Sequence, residues 1–441
     1  MTATPAADIR RRHHWKDNPA IVVLLVGTLL HAAVLFVVLP IVGPWLGQHY
    51  GAGFADDYAE LARNIAAGNG YRFTPDTAET LLREPGYPFL LAAVFSVFGD
   101  SLPAARLLNL IFMMGTAWLL IVMARESSHG RWLAALAVAL FLVHPGILLG
   151  EARAGFEALY AFCLTLLAWR LSRALSSRRA VDYFWAGAAL GLGVLVRSSL
   201  IAFPAIVLAW LLLQRNAAPW SVTLGNLVVL SLAMCLVIAP WAIRNYRVAH
   251  AVVPTATISG IAMHVGEYVC RHRDSGRSLV DLDAGARDER AAIARSAGYR
   301  FNDQYFPQFY SVNDEVEFSQ NLQRRAVDYY LSVPADFAKC ASLNLLNFWV
   351  AGKGTLATIL NAAVQIPYVL LALCGAIALR RTSEPRVVAI LLIVVYTMLV
   401  HAATFAQARY SVPLVPLLSL LGAYALARWW TDMQNRTRIG H

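Results

Sequence analysis

Charge is what this sequence has least of. Only 15% of its 441 residues are Asp, Glu, Lys or Arg, against 58% hydrophobic. A soluble domain carries about 25% charged residues. The deficit, the long apolar runs and a mean hydropathy of +0.53 exclude an ordinary soluble domain. Lysine is nearly missing: of 37 basic residues only Lys16, Lys339 and Lys353 are lysine. The five cysteines form no CxxC pair. Cys163, Cys235 and Cys374 fall in apolar runs and read as small buried hydrophobes. Cys270 and Cys340 fall in a polar region, where two free thiols are the expectation and a disulfide the alternative. There is no Walker motif, short-period repeat or low-complexity tract. No His/Cys/Asp group has metal-ligand spacing, so no metal or other cofactor is expected, with a divalent ion left open.

What is there is a series of continuous apolar runs. Alternation would suggest a barrel; continuity implies helices. The expected fold class is all-α: a polytopic membrane protein of about ten spans, with juxtamembrane helices and an external helical loop region. Arg10, Arg11, Arg12 and Lys16 precede the run Ala20–Leu39, which reads as a retained anchor with a cytoplasmic N-terminus. The segment Gly86–Gly99 reaches only about 20 Å, short of a roughly 30 Å core. Treating it as lying along the membrane makes every later loop obey the positive-inside rule. The spans are then Leu102–Met123, Trp132–Leu149, Phe156–Leu171, Tyr183–Val196, Leu200–Leu213, Leu224–Pro240, Ile359–Leu379, Val387–Thr404 and Val412–Ala427. The basic ends Arg125, Arg179, Arg215, Arg380, Arg381 and Arg428 become cytoplasmic.

Four regions follow. Residues 1–19 form a cytoplasmic tail. Residues 20–240 form a transmembrane module whose first external loop is 47–101. Residues 241–338 are an external region with helices expected at Ala286–Ser296 and Glu315–Tyr330, broken at RDSGRS and Tyr305–Pro307. Residues 339–441 add a surface-lying helix at Ala338–Val350 and the last spans. A basic chain can mean nucleic acid, but these arginines are scattered at helix ends, and no nucleic-acid partner is expected.

The polar residues of interest gather on the external face. Asp56 and Asp57 open a helix over Asp56–Ala67. Its apolar face is Tyr58, Leu61, Ala62 and Ile65, with Asp57, Glu60 and Asn64 opposite, as in a helix lying on a membrane. The ordinary reading of the two acids is N-capping, but one Asp suffices for a cap. Glu151 and Glu157 flank an external turn, where loop solvation and a first-turn dipole acid are their ordinary readings. Arg83, Arg106, Arg153, Arg197, Arg244 and Arg409 lie at external helix ends, where the positive-inside rule does not ask for them. Arginine holds phosphate as a bidentate fork, although some of the six simply snorkel. His144, before Pro145, and His31, inside the first run, read as a base or as packed, hydrogen-bonded residues.

Six blocks carry a family likeness in order: DDYAELARNIAAGNGY, REPGYPFLLAAVFSVFGDSLPAARLL, FEALYAFCLTLLAW, GLGVLVRSSL, PWAIRNYRVAHAVVPTATISG and QARYSVPLVPLLSLLGAYAL. Together they span nearly the whole chain. The sequence resembles bacterial polyprenyl-phosphate-sugar-dependent glycosyltransferases of the GT-C superfamily, the group that includes protein O-mannosyltransferases and the lipid A aminoarabinose transferase. The resemblance implies two juxtamembrane helices in the first external loop and an essential Asp at the start of the first, carried onto Asp56 or Asp57. Many members place that acid three or four residues before the aromatic held here by Tyr58, where this chain has Phe54 and Ala55. Arg83 falls where the family has a basic residue that touches the carrier phosphate. Glu157, Arg197, Arg244 and Arg409 fall on recurring positions.

The expected function is transfer of a sugar from a polyprenyl-phosphate carrier to an envelope glycan, lipid or protein. The site would face the periplasmic side of a bacterial cytoplasmic membrane, with membrane lipid as the surrounding partner. Asp56, Asp57, Glu157 and Glu151 are the candidate catalytic acids. Arg83, Arg197, Arg244 and Arg409 are the candidate phosphate ligands, and Tyr58, Tyr87 and His144 the candidate sugar or acceptor pocket. The rival is a transporter or lipid-sugar flippase, which would show broken helices, mid-membrane charges and internal repeats; a non-catalytic assembly subunit is a third option.

Overall fold

The computed structural model describes residues 18–46, 54, 57–125, 130–213, 219–302, 306–379 and 384–439. Asp56, the basic cluster at 10–16, Tyr305 and the arginines Arg215, Arg380 and Arg381 lie outside the described residues. Helix α1 (Pro19–Ala33) starts on Asn18, whose side chain accepts from the Ala20 amide, with Pro19 at a position that needs no donor. A π-turn at Val34–Val38 leads into α2 (Leu39–Leu46). The loop between α2 and the next long helix carries α3 (Tyr58–Ala66) and α4 (Gly86–Phe98). Then come α5 (Leu102–Arg125), α6 (Gly130–Val143), α7 (Pro145–Ala152), α8 (Glu157–Ser177), α9 (Ala180–Val196), α10 (Phe203–Leu213) and α11 (Trp220–Ala249).

Among the described residues, seven helical segments are long and apolar enough to cross a membrane, or eight if the bent pair α6–α7 is one span; ten are reached only with the shorter α9 and α10. The all-α polytopic fold expected from the apolar runs is the one that forms. The span expected at Trp132–Leu149 is not straight: it bends by 57° between α6 and α7. Pro145 cannot donate a helical bond and pushes His144 into an extended conformation. Helices α9 and α11 meet closely, because a Cβ at Gly187 would collide with the Leu230 carbonyl.

The polar region after α11, expected to be external, holds α12 (Ile258–Arg271), α13 (Leu279–Ser296), a two-stranded antiparallel pair β1 (Phe301–Asn302) and β2 (Gln308–Phe309), and α14 (Val312–Ser332). Both expected helices are present and longer than the sequence suggested, while α12 and the strand pair were not anticipated. This region has no separate core. Ile261, Val265, Tyr268, Leu282, Phe309, Phe318 and Leu322 pack in one cluster with Leu61, Tyr71, Phe73 and Leu82 of the first loop. The apolar face of α3 is therefore covered by protein rather than left for lipid. Asn64, expected on the exposed face, is buried and donates to the carbonyls of Glu60 and Phe73. Glu315 of α14 ties the two loops together, accepting from Thr80 Oγ1 (2.6 Å), the Leu81 amide (2.9 Å) and Thr257 Oγ1 (2.7 Å).

The chain closes with α15 (Pro334–Val350), α16 (Thr355–Leu379), α17 (Pro385–Ala403) and α18 (Val415–Ile439), the last preceded by short 3-10 turns at Ala408–Tyr410 and Val412–Leu414. The expectation of two free thiols is corrected here. Cys270 at the end of α12 and Cys340 in α15 form a disulfide, with Cα atoms 5.6 Å apart. Packing of the two helices brings the residues together across 70 positions of sequence, a proximity that spacing cannot reveal.

Candidate active site

The site is built on the turn Arg83-Glu84-Pro85-Gly86, which enters α4. Gly86 lets this turn pass under the end of α9, since a Cβ there would lie 2.9 Å from the Leu195 carbonyl oxygen. Tyr71 holds the turn from the other side: its hydroxyl donates to the carbonyls of Arg83 and Glu84, each at 3.1 Å. Burial pushes the Tyr71 phenol well up from its ordinary pKa, so it stays a donor. Glu84 is buried, and its Oε1 accepts from the Ser198 amide (2.8 Å) and hydroxyl (2.7 Å). The turn after α9, which carries Arg197, is thereby fixed against the turn that carries Arg83.

Arg83 is only 4% exposed. Its guanidinium lies over the rings of Tyr58 (5.1 Å) and Phe306 (4.3 Å), and its Nη2 is 3.7 Å from Asp57 Oδ2. Asp57 precedes α3 but makes no capping bond through its side chain. The ring of Tyr58 meets Tyr87 and Phe156 at 5.7 and 5.6 Å. Tyr87 donates to Asn109 Oδ1 at 3.3 Å, and burial raises its phenol pKa. Arg197 lies over Phe156 (5.2 Å) and Tyr410 (5.3 Å). It is half-buried, and its side chain makes no hydrogen bond or ion pair with another described residue, while its backbone amide donates to the Gly193 carbonyl. Arg409 pairs with Glu157, Nη2 to Oε1, at 3.1 Å.

One contiguous group therefore contains Asp57, Tyr58, Arg83, Tyr87, Glu157, Arg197 and Arg409, joined by Glu84, Phe156 and Tyr410. Its chemistry is two acids, Asp57 and Glu157, near buried and half-buried guanidinium groups, with aromatic walls and the buried Glu84 carboxylate behind them. The remaining candidates stand apart from it. Glu151 is fully buried and bound to His31 Nδ1 at 2.7 Å, while His31 Nε2 is 3.0 Å from the Leu142 carbonyl. The pair ties α1 to the α6–α7 bend, so neither the loop-solvation reading nor the catalytic one describes where Glu151 lies. His144 caps α7, its Nδ1 accepting from the Gly146 amide at 3.1 Å, and stacks edge-on with Tyr368. Arg244 is engaged by Glu79 (3.0 Å) and the Thr80 carbonyl (3.0 Å). Arg106 is buried and donates to the carbonyls of Ala152 and Leu35, the latter within the π-turn. Glu84, Phe156 and Tyr410 were not singled out from sequence. Glu84 sits beside Arg83 in the same motif, and that adjacency was the available signal.

A family model described as dolichyl-phosphate-mannose-protein mannosyltransferase matches residues 83–243, from Arg83 to the residue before Arg244. Among solved structures, the oligosaccharyltransferase AglB from Archaeoglobus fulgidus, in complex with an inhibitory peptide and a dolichol-phosphate, superposes with a TM-score of 0.57 at 15% identity. The match covers 97% of this chain and 52% of that one. The likeness is one of fold. The apo form of the Archaeoglobus fulgidus oligosaccharyltransferase superposes on this chain at a TM-score of 0.56, 15% identity, 97% coverage here and 52% there. The chain spans about half the length of these two structures. ArnT from Cupriavidus metallidurans bound to undecaprenyl phosphate aligns over 93% of this chain and 78% of its own at 15% identity. Its TM-score of 0.40 is too low to carry weight. A search of curated proteins found no match.

Proposed function

We propose that this protein is a membrane glycosyltransferase that moves a sugar from a polyprenyl-phosphate carrier to a glycan, lipid or protein acceptor on the outer face of the cytoplasmic membrane. The observation that carries this reading is Arg197. It is a partly exposed guanidinium between Phe156 and Tyr410, without a carboxylate partner among the described residues, in the same group as Arg83 and Asp57. An arginine without a counter-ion beside a membrane is suited to a phosphate. The family match to a mannosyltransferase and the GT-C fold support the reading. The Cys270–Cys340 disulfide supports an oxidising compartment for the external region.

The bond changes balance without a strong acid. The acceptor oxygen forms a bond to the anomeric carbon as the bond to the carrier phosphate oxygen breaks. The phosphate leaves with that electron pair, and its charge is met by Arg197 and Arg83. Asp56 or Asp57 takes the acceptor proton. A single displacement of this kind inverts the anomeric centre.

The test is binding of a short polyprenyl phosphate to the full chain in detergent, followed by transfer from the corresponding sugar-charged carrier. Arg197→Lys keeps the charge and loses the fork, so it should weaken binding about tenfold, and Arg197→Ala further. Equal binding by the wild type and Arg197→Ala would overturn the assignment.

A further inference from the structure

Away from this site, α12 and α13 bring together three side chains able to ligate a metal. His264 and Glu267 stand one turn apart on one face of α12, and Glu289 reaches them from α13. One ligand atom from each lies within 4.8 Å of the other two. His264 is 0% exposed, yet neither ring nitrogen has a hydrogen-bond partner. A buried imidazole is normally satisfied. Its Nδ1 lies 3.4 Å from Glu267 Oε2. A tetrahedral ion with bonds of about 2.1 Å holds its ligand atoms roughly 3.4 Å apart. That edge is already at ligand spacing, and Glu289 has about an ångström to close.

A cation already bridges the two carboxylates. Arg271 donates Nε to Glu267 Oε1 (2.5 Å) and Nη2 to Glu289 Oε1 (2.8 Å). Its side chain is 34% exposed, so it can swing into solvent when a smaller, doubly charged ion takes its place.

We propose that His264, Glu267 and Glu289 form a zinc-type site, with Arg271 occupying it in the metal-free state. One imidazole and two carboxylates suit a borderline first-row dication rather than magnesium or calcium. Bound metal would clamp α12 to α13. The apolar side of α12, through Ile261, Val265 and Tyr268, covers Tyr71 and Leu82 of the loop that holds the active site. The metal would then stiffen that cover from outside the chemistry.

The test uses the full chain in detergent, purified without a histidine tag, stripped with EDTA and titrated with zinc. One zinc per chain should bind, read by elemental analysis, and raise the thermal midpoint. His264→Asn and Glu289→Gln should each weaken binding at least tenfold. Glu289 lies at the surface of α13, so its substitution leaves the fold intact. Arg271→Gln removes the competitor and should tighten binding at least threefold. Wild-type protein that takes up no more zinc than Glu289→Gln, or an Arg271→Gln variant that binds more weakly than wild type, would overturn the proposal.

Discussion

Glu84 accepts hydrogen bonds from both the backbone amide and the hydroxyl of Ser198, the residue that follows Arg197. One buried carboxylate oxygen thus joins the turn after α9 to the turn before α4. The two arginines proposed to meet the phosphate are held at a fixed separation by a residue that need not touch it.

Glu84→Ala should therefore damage the site at a distance. It strands two donors, each costing about 1–3 kcal/mol when left unsatisfied in a buried place. The expected result is a lower thermal midpoint together with weaker polyprenyl-phosphate binding. Glu84→Gln keeps an acceptor oxygen and should recover most of both, as read by thermal unfolding and donor titration side by side.

The acids before α3 separate by turnover rather than stability. The Asp57 side chain makes no capping bond and lies 3.7 Å from Arg83; Asn keeps an oxygen facing that guanidinium, so Asp57→Asn should lower the thermal midpoint only slightly. If Asp57 is the base, transfer should fall by about a hundredfold or more. Asp56→Asn is the paired measurement, because the family spacing favours the residue further from Tyr58. Normal turnover in both variants would move the role to Glu157, the other acid in the group.

The disulfide should matter to the external region more than to the bundle. Closing a loop this long is worth about 2–5 kcal/mol in small domains. Cys270→Ser with Cys340→Ser should lower the midpoint and speed proteolysis between α12 and α15, with the spanning helices still protected. Reduction of the wild type should reproduce the effect.

Much of the fold was legible because lipid imposes a simple rule: a continuous apolar run of sufficient length is a helix. α5 and α17 follow from that rule to within two residues at each end, and α16 to within four. What stayed hidden depends on pairs far apart in sequence. Glu151 reads as a loop acid until His31, 120 residues earlier, is placed against it. Arg244 reads as a free phosphate ligand until Glu79 is placed beside it. Asn64 reads as an exposed polar residue until the external region covers α3. Asp57, Arg83, Glu157 and Arg197 were candidates from their motifs, Tyr58 and Tyr87 from the same loop, and the fold brings them together. Phe156 and Tyr410 were missed, since they look like any other apolar positions in a membrane chain.

The short helices on either side of Arg197 have a consequence for the surrounding lipid. α9 has 17 residues and α10 has 11, about 25 and 17 Å of helix, beside the 30 residues, about 45 Å, of α11. A bilayer core of about 30 Å does not match all three, and thinning of the leaflet along the shorter pair is one way to relieve the mismatch. Such thinning would draw headgroups toward Arg197. A lipid-borne phosphate sliding past would reach the guanidinium without rising out of its leaflet. Membrane thickness then becomes a variable acting on the site, with thicker bilayers resisting the dip.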